Sequence, residues 1–243
     1  MRNFDNLVLF EDRHMVVINK PSGINSHYSD FNLIGVQEVA KNMRGYTTNL
    51  AHRLDRDTTG VLVLAKTELA LERLREQFAN KGKSQTKKVY IALLDGEFIP
   101  DNIVRATVPI AHTETDRMRI VRSEELQKDP TTRNTLSFFR PVMALTSPEG
   151  IHRTLTEVQI VTGRTHQIRV VAADFLGHPV TGDRLYNPNR SEAQRQMLHA
   201  YELILQHPIT RRMMSVQAPL PDDFKQILSN HELDYFFAEK SKS

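Results

Sequence analysis

An α+β fold with a mixed, largely antiparallel sheet flanked by helices is predicted by three features of the sequence. Strand-like segments outnumber helical ones, and the two do not alternate as a doubly wound parallel sheet requires. One segment, GVLVLAK (Gly60 to Lys66), is apolar on both alternating faces, as a central strand covered on two sides must be. At 243 residues, 40% hydrophobic and 25% charged, the chain can bury a substantial core. No internal repeat or Pro/Ser-rich linker marks a boundary, so one domain over residues 1–243 is expected, with 230–243 as a C-terminal tail.

The elements follow from local pattern. MVVIN (Met15 to Asn19) reads as a buried strand, and in KPSG after it proline second and glycine fourth suit a type I turn. Leu33, Val36, Ala40 and Met43 fall at helical spacing, with Gly45 placed to end that helix. After the Gly60 strand, Thr67 can cap a helix whose inner stripe is Leu71, Leu74 and Phe78, closing before Gly82. KKVYIALLDG is a strand with Val89, Ile91 and Leu93 on one face and Tyr90, Ala92 and Leu94 on the other. SPEG (Ser147 to Gly150) separates two strands whose apolar members include Phe138, Val142, Val158 and Ile160, the pattern of a hairpin. In TGRTHQIRVVAADFLGHPVTGDRLY a turn leads into a helix with Ile168, Val171, Ala172 and Phe175 inward and Gly177 at its end. Arg169, beside that stripe, either snorkels to solvent or is partly buried against an anion.

Composition excludes several chemistries. There is no cysteine, so disulfides, thiolate catalysis and cysteine-ligated metals are ruled out. No apolar run approaches the roughly 18 residues of a membrane helix, and the N-terminus lacks a signal-peptide core, so a cytoplasmic protein without a membrane partner is expected. His52, Asp55 and Asp57, and further on His166, Asp174, His178 and Asp183, gather hard ligands without a metal-site spacing, and no metal is expected. Neither a GxSxG elbow nor a GxxxxGK or GxGxxG phosphate loop is present, which leaves no evident cradle for a nucleotide cofactor. Net charge is only +3, but Lys81, Lys83, Lys87 and Lys88 crowd one segment, and Arg184, Arg190, Arg195, Arg211 and Arg212 fall in the last third. These are either solvated faces or a surface for nucleic acid.

What remains is the carboxylate of Asp55 in the loop before a buried strand, a tyrosine on a neighbouring strand, and arginines set among apolar residues. Burial raises a carboxylate's pKa, whereas a paired arginine reverses that and fixes its orientation. Such a combination suits an aspartate that works ionised, as nucleophile or base.

HRLDRDTTGVLVLAKT resembles the HRLDxxTSG catalytic motif of the RluA-type pseudouridine synthases. LFEDRHMVVINKPSGINSH is similar to that family's N-terminal motif, KKVYIALLDG to its tyrosine-bearing strand and TGRTHQIRVVAADFLGHPVTGDRLY to its third motif. MLHAYELILQHP followed by APLPDDF matches the C-terminal one, so the likeness runs in order from about Leu7 to Phe224. The resemblance implies the pseudouridine synthase fold with a central catalytic cleft, and conversion of a uridine to pseudouridine in structured RNA, an rRNA or tRNA stem-loop. It implies Asp55 as the catalytic aspartate, Tyr90 as the aromatic that packs on uracil and a candidate for proton removal from C5, and Arg169 as the partner of Asp55. Arg164 competes for that pairing. Arg53 is implied to wedge into the RNA stack, with a surface phosphate contact as its other reading, and His52, Thr59 and Leu198 are further candidates for substrate contact. His52, His166, His178 and His199 otherwise read as structural hydrogen bonders. Three routes are open to Asp55: attack at C1′, attack at C6, or removal of a ribose proton.

Two positions depart from the family pattern: TTG replaces TSG, which adds a methyl at Thr59, and Val171 stands where a histidine is common. Isomerisation neither gains nor loses atoms, so no cofactor is expected. A stand-alone catalytic domain without the S4 RNA-binding module is expected, monomeric by default, with RNA affinity drawn from the Lys81 to Lys88 segment and the C-terminal arginines. A rival of another class is an RNA-binding protein or RNA chaperone that kept the fold and lost catalysis. A metal-dependent nucleic-acid hydrolase is more distant.

Overall fold

The computed structural model of the chain describes residues 4–26, 35–79, 85–99, 103–126, 128–147, 149–189, 193–228 and 230–241. Its strands are, in order, β1 (Val8–Glu11), β2 (Met15–Lys20), β3 (Asn49–Leu50), β4 (Thr59–Ala65), β5 (Lys87–Asp95), β6 (Val104–Ala106) and β7 (Pro109–His112). They continue with β8 (Met118–Ile120), β9 (Arg133–Asn134), β10 (Ser137–Thr146), β11 (His152–Ile160), β12 (Leu198–Gln206) and β13 (Met213–Gln217). The helices are α1 (Val36–Arg44), α2 (Glu68–Ala79), α3 (Gln167–Val170), α4 (Asp222–Ile227) and α5 (Asn230–Ser241). Ten strands form one sheet in the order β1-β2-β4-β12-β5-β11-β10-β6, with β13 beside β12 and β3 beside β4; β8-β7-β9 form a smaller sheet. Among the described strand pairs only β12 with β4 runs parallel. This is the mixed, largely antiparallel α+β architecture expected.

Period-two alternation sorts the strands between two covered faces. From β4, Leu62 and Leu64 join Val16, Ile18, Tyr90 and Ala92 in one core, while Val61, Val63 and Ala65 meet Leu71 and Leu74 of α2 in another. From β5, Ile91 and Leu93 point into a third cluster with Phe224 of α4 and Phe236 of α5. Residues 230–241, expected as a tail, therefore form a helix anchored by a buried phenylalanine. α1 ends at Gly45, whose φ of 71° is the left-handed C-cap anticipated; Leu33 and Gly82 lie outside the described residues. The hairpin of β10 and β11 pairs Thr146 with His152 across the turn; Pro148 lies outside the described residues. No helix among the described residues is long and apolar enough to cross a membrane.

Two departures from regular geometry shape the neighbourhood of Asp55 and Arg169. Where β4 meets β12, Ala200 pairs with Gly60, whose φ is 110°, and a Cβ at that glycine would overlap the Ala200 carbonyl. Gly60→Ala combines backbone strain with overpacking against rigid backbone, an expected cost of about 3 kcal/mol or more in chemical denaturation. A substitution that left stability unchanged would mean the two strands can separate there. The second is a π turn after α3: the Leu176 N–H reaches the Val171 carbonyl five residues back, at 3.0 Å. The extra residue rotates the helix face, so Phe175, expected inward, is 51% exposed.

Candidate active site

The loop Ala51 to Thr58 is held from both sides before it enters β4. Ser26 Oγ donates to the Leu54 carbonyl (2.7 Å) and accepts the Leu54 N–H (2.9 Å). Gly23 N–H, at the end of KPSG, donates to the Arg56 carbonyl at 3.1 Å, so that turn is closed onto the loop rather than onto itself. Lys20, fully buried, donates to the carbonyls of Pro21 (2.9 Å), Ile24 (2.8 Å) and Arg56 (2.8 Å). Three acceptors match the three hydrogens of an ammonium. Burial pulls the Lys20 pKa down to about 7, with the Asp57 and Asp55 carboxylates working against that fall. The Thr58 N–H donates to the Asp55 carbonyl (3.1 Å), which turns the chain and presents the Asp55 side chain, 21% exposed, to a cavity.

Arg169 resolves the choice between snorkelling and burial: it is 5% exposed and lies between two carboxylates. Its Nε and Nη2 donate to Asp183 at 2.6 and 2.8 Å, a bidentate fork, and its remaining arm, Nη1, donates to Asp55 Oδ2 at 3.0 Å. Burial works against the guanidinium's charge, but hydrogen bonds and charge from Asp183, then Asp55, outweigh it and raise its pKa above the ordinary arginine value. The fork aims the third arm, so the orientation of Asp55 is set by a residue 14 positions beyond Arg169 in sequence.

The cavity in front of Asp55 has a volume of about 490 Å³, within the roughly 300–1,000 Å³ of small-molecule sites. Its apolar wall includes Tyr90, Ile160, Ile168 and Leu198, and its rim carries Arg53, Arg75, Lys88 and Arg164. Tyr90 is 7% exposed; burial, and secondarily the charge of Asp55, push its phenol pKa up, so it keeps its proton. Arg53 is exposed at the mouth, with no ion-pair partner among the described residues. Arg164 lines the same cavity, but Arg169 is the arginine that pairs with Asp55; the Arg164 Nε is buried and has no hydrogen-bond partner among the described residues.

Other expected residues stand differently. His52 lines the cavity, stacks on Phe78 at 4.6 Å between centroids, and accepts the Val63 N–H on Nε2 at 3.1 Å, filling the gap where β3 leaves β4. Burial, with Lys88 adding to it, lowers its pKa to about 3, so the ring is neutral. Thr59 does not reach the cavity: its hydroxyl is 2.9 Å from His199 Nδ1 in the core, because strand alternation turns it away, and Thr58 lines the cavity instead. His199, whose pKa burial lowers to about 4, is a structural hydrogen bonder between Thr59 and the Ala218 carbonyl. Arg195 is not a surface arginine: it is 6% exposed, forks onto Asp223 at 2.6 and 2.8 Å and reaches the Asp57 carbonyl at 3.3 Å. Lys87 and Lys88 begin β5, Arg184, Arg211 and Arg212 are exposed, and Lys81, Lys83 and Arg190 lie outside the described residues.

Sequence reasoning misses three residues. Asp183 reads only as a possible metal ligand, although GDRLY follows HQIR closely enough for the π turn to fold it back. Lys20 reads only as the first residue of a turn, and Tyr186 only as the last residue of the third motif. Tyr186 is buried, with its ring 5.2 Å from the Arg169 guanidinium and its hydroxyl 3.0 Å from His166 Nδ1.

Residues 14–174 match the family model described as RNA pseudouridylate synthase. An uncharacterized RNA pseudouridine synthase of Bacillus subtilis is 35% identical over 227 residues, covering 90% of this chain and 70% of that protein. The ribosomal large subunit pseudouridine synthase C of Buchnera aphidicola subsp. Baizongia pistaciae is 32% identical over 237 residues, covering 93% of this chain and 71% of its own. Among solved structures, human RNA pseudouridylate synthase domain containing 4 superposes with a TM-score of 0.70 at 26% identity, over 95% of this chain and 94% of that one. With order, fold and sequence in agreement across nearly the whole chain, it belongs to the RNA pseudouridylate synthase family.

Proposed function

We propose that this chain isomerises a uridine in structured ribosomal RNA, with Asp55 as the acting carboxylate and residues 1–243 working as one catalytic domain. The observation that carries this reading is the Asp55 carboxylate held at 3.0 Å by a buried arginine on the wall of a cavity that Tyr90 lines. Choice of ribosomal RNA rests on relatives named for the large ribosomal subunit. A base inside folded RNA has to leave its stack before C1′ is reached, at a cost of a few kcal/mol. Tyr90, Ile168 and Leu198 offer the extruded uracil an apolar, partly aromatic pocket, and Arg53 at the mouth is placed to occupy the space it leaves. Arg75, Lys88 and Arg164 on the rim supply positive charge for the flanking phosphates, so binding should weaken steeply as salt rises. No atom is gained or lost in the isomerisation.

Mapping pseudouridines in rRNA and tRNA from a deletion strain, with and without the restored protein, tests the proposal. At least one ribosomal uridine should lose its modification and regain it on restoration; identical maps in all strains would refute the assignment, and a change confined to tRNA would refute the substrate. Tyr90 provides a narrower test. Since base–aromatic stacking is worth about 1–3 kcal/mol, Tyr90→Ala should turn over roughly 10- to 100-fold more slowly than Tyr90→Phe in single-turnover assays run well below both melting transitions. Equal losses would give the essential role to the hydroxyl.

A further inference from the structure

His166 has no part in the reaction as proposed, although it lines the cavity with a strained backbone and a fixed ring. Its φ of 53° is a left-handed conformation that non-glycine residues seldom adopt, and it stands immediately before α3. That turn holds the ring against the cavity, with Nε2 3.9 Å from Asp55 Oδ2, too far for a direct hydrogen bond.

The other ring nitrogen is fixed from behind. The Met118 N–H donates to the Tyr186 hydroxyl oxygen at 2.6 Å, and that hydroxyl is 3.0 Å from His166 Nδ1. Tyr186 is 3% exposed, and its own hydrogen has no other acceptor among its described contacts. The arrangement that satisfies both groups has Tyr186 donating to Nδ1, which leaves the ring proton on Nε2, facing the cavity. Burial keeps the imidazole's pKa below its ordinary value, with Asp55 pulling the other way, so the ring is a neutral donor. The same tyrosine ring packs against His166 in a T-shaped arrangement, 5.7 Å between centroids, which limits rotation.

From this geometry we infer that His166 contacts substrate: its Nε2–H, set by Tyr186, donates a hydrogen bond to an oxygen of the extruded nucleoside beside Asp55. This rests on the reading that the Asp55 cavity receives that nucleoside. When the glycosidic bond breaks, its electron pair leaves with the uracil and spreads onto the base oxygens, and a fixed neutral donor stabilises such charge without reorganising. The 3.9 Å gap between the donor and Asp55 leaves their hydrogen-bonding capacity available to a third group.

Two substitutions separate this role from a structural one. In His166→Asn the left-handed backbone is tolerated, and the amide oxygen can replace Nδ1 toward Tyr186, but no atom reaches the Nε2 position. In His166→Gln the longer amide can place an N–H there. On an RNA that the parent modifies, His166→Asn should slow single-turnover conversion about 10- to 100-fold with RNA affinity and melting temperature unchanged, and His166→Gln should recover most of that loss. An Asn variant at the parental rate, or a Gln variant that melts with the Asn variant yet is no faster than it, would overturn the inference. Failure of the parent itself to modify any RNA, or full activity in Asp55→Asn, would instead strike the reading on which it rests.

Discussion

Asp55→Asn is expected to reduce single-turnover conversion by on the order of 10⁴- to 10⁶-fold, the range seen when a nucleophile or essential base is removed, while leaving the fold intact. The fold survives because of the geometry around Arg169. Its charge is already balanced by the bidentate contact with Asp183, and the Asn amide oxygen can still accept from Nη1, so no charge is stranded. Stability should change by no more than about 1 kcal/mol, the net worth of a typical hydrogen bond. RNA affinity should hold or improve, since a negative charge is removed from a cavity with a basic rim. A variant still turning over within about 100-fold of the parent would take Asp55 out of the chemistry. An inactive variant that had also unfolded would leave the assigned division of labour between Asp55 and Asp183 wrong.

Much of this site is legible before any coordinates, and the reasons differ from residue to residue. β4 announces itself because a strand covered on two faces has to be apolar at both alternations, whereas the close approach of Gly60 to Ala200 has no local signal, because it depends on the pairing of β4 with β12. Asp55, Tyr90, Arg169, Arg53 and Leu198 come together around one cavity as the motif order implies. Thr59 does not, because period-two alternation decides which of two adjacent threonines faces inward, and the strand starts one residue earlier than the Gly60 pattern suggests. Phe175 is misplaced by a π turn that a 3.6-residue stripe cannot express. Arg195 reads as a surface charge and Lys20 only as a turn residue, since burial of a cation depends on acceptors distant in sequence: Asp223 for one, the Arg56 carbonyl for the other. The position of β12 between β4 and β5 is likewise a long-range pairing with no local signature, and it places Leu198 on the cavity wall.

Asp183→Ala is expected to be the more damaging substitution for stability, although Asp183 touches no part of the cavity surface. Its side chain is fully buried against an arginine that is itself 5% exposed, and removing it strands a guanidinium with only the partly solvated Asp55 as counter-charge. Breaking a buried pair from one side costs about 3–5 kcal/mol, which in a chain of this size lowers the melting temperature by roughly 6–20 °C. Asp183 Oδ1 also accepts the N–H groups of Leu185 (3.0 Å) and Tyr186 (3.2 Å), so the same change loosens the segment that carries Tyr186 to His166. Activity should therefore fall even at temperatures where the variant is folded, through misdirected Arg169 and unfixed His166. A compensating pair distinguishes orientation from stability: Arg169→Met together with Asp183→Leu removes both charges, and hydrophobic replacements of a buried pair are often neutral. That double variant should recover only part of the melting temperature lost in Asp183→Ala, since the Leu185 and Tyr186 N–H groups still lack their acceptor, and remain nearly inactive, because the restored packing has no arm to hold Asp55. Recovery of activity along with stability would mean the ion pair only supports the fold, and Asp55 needs no guanidinium to do its work.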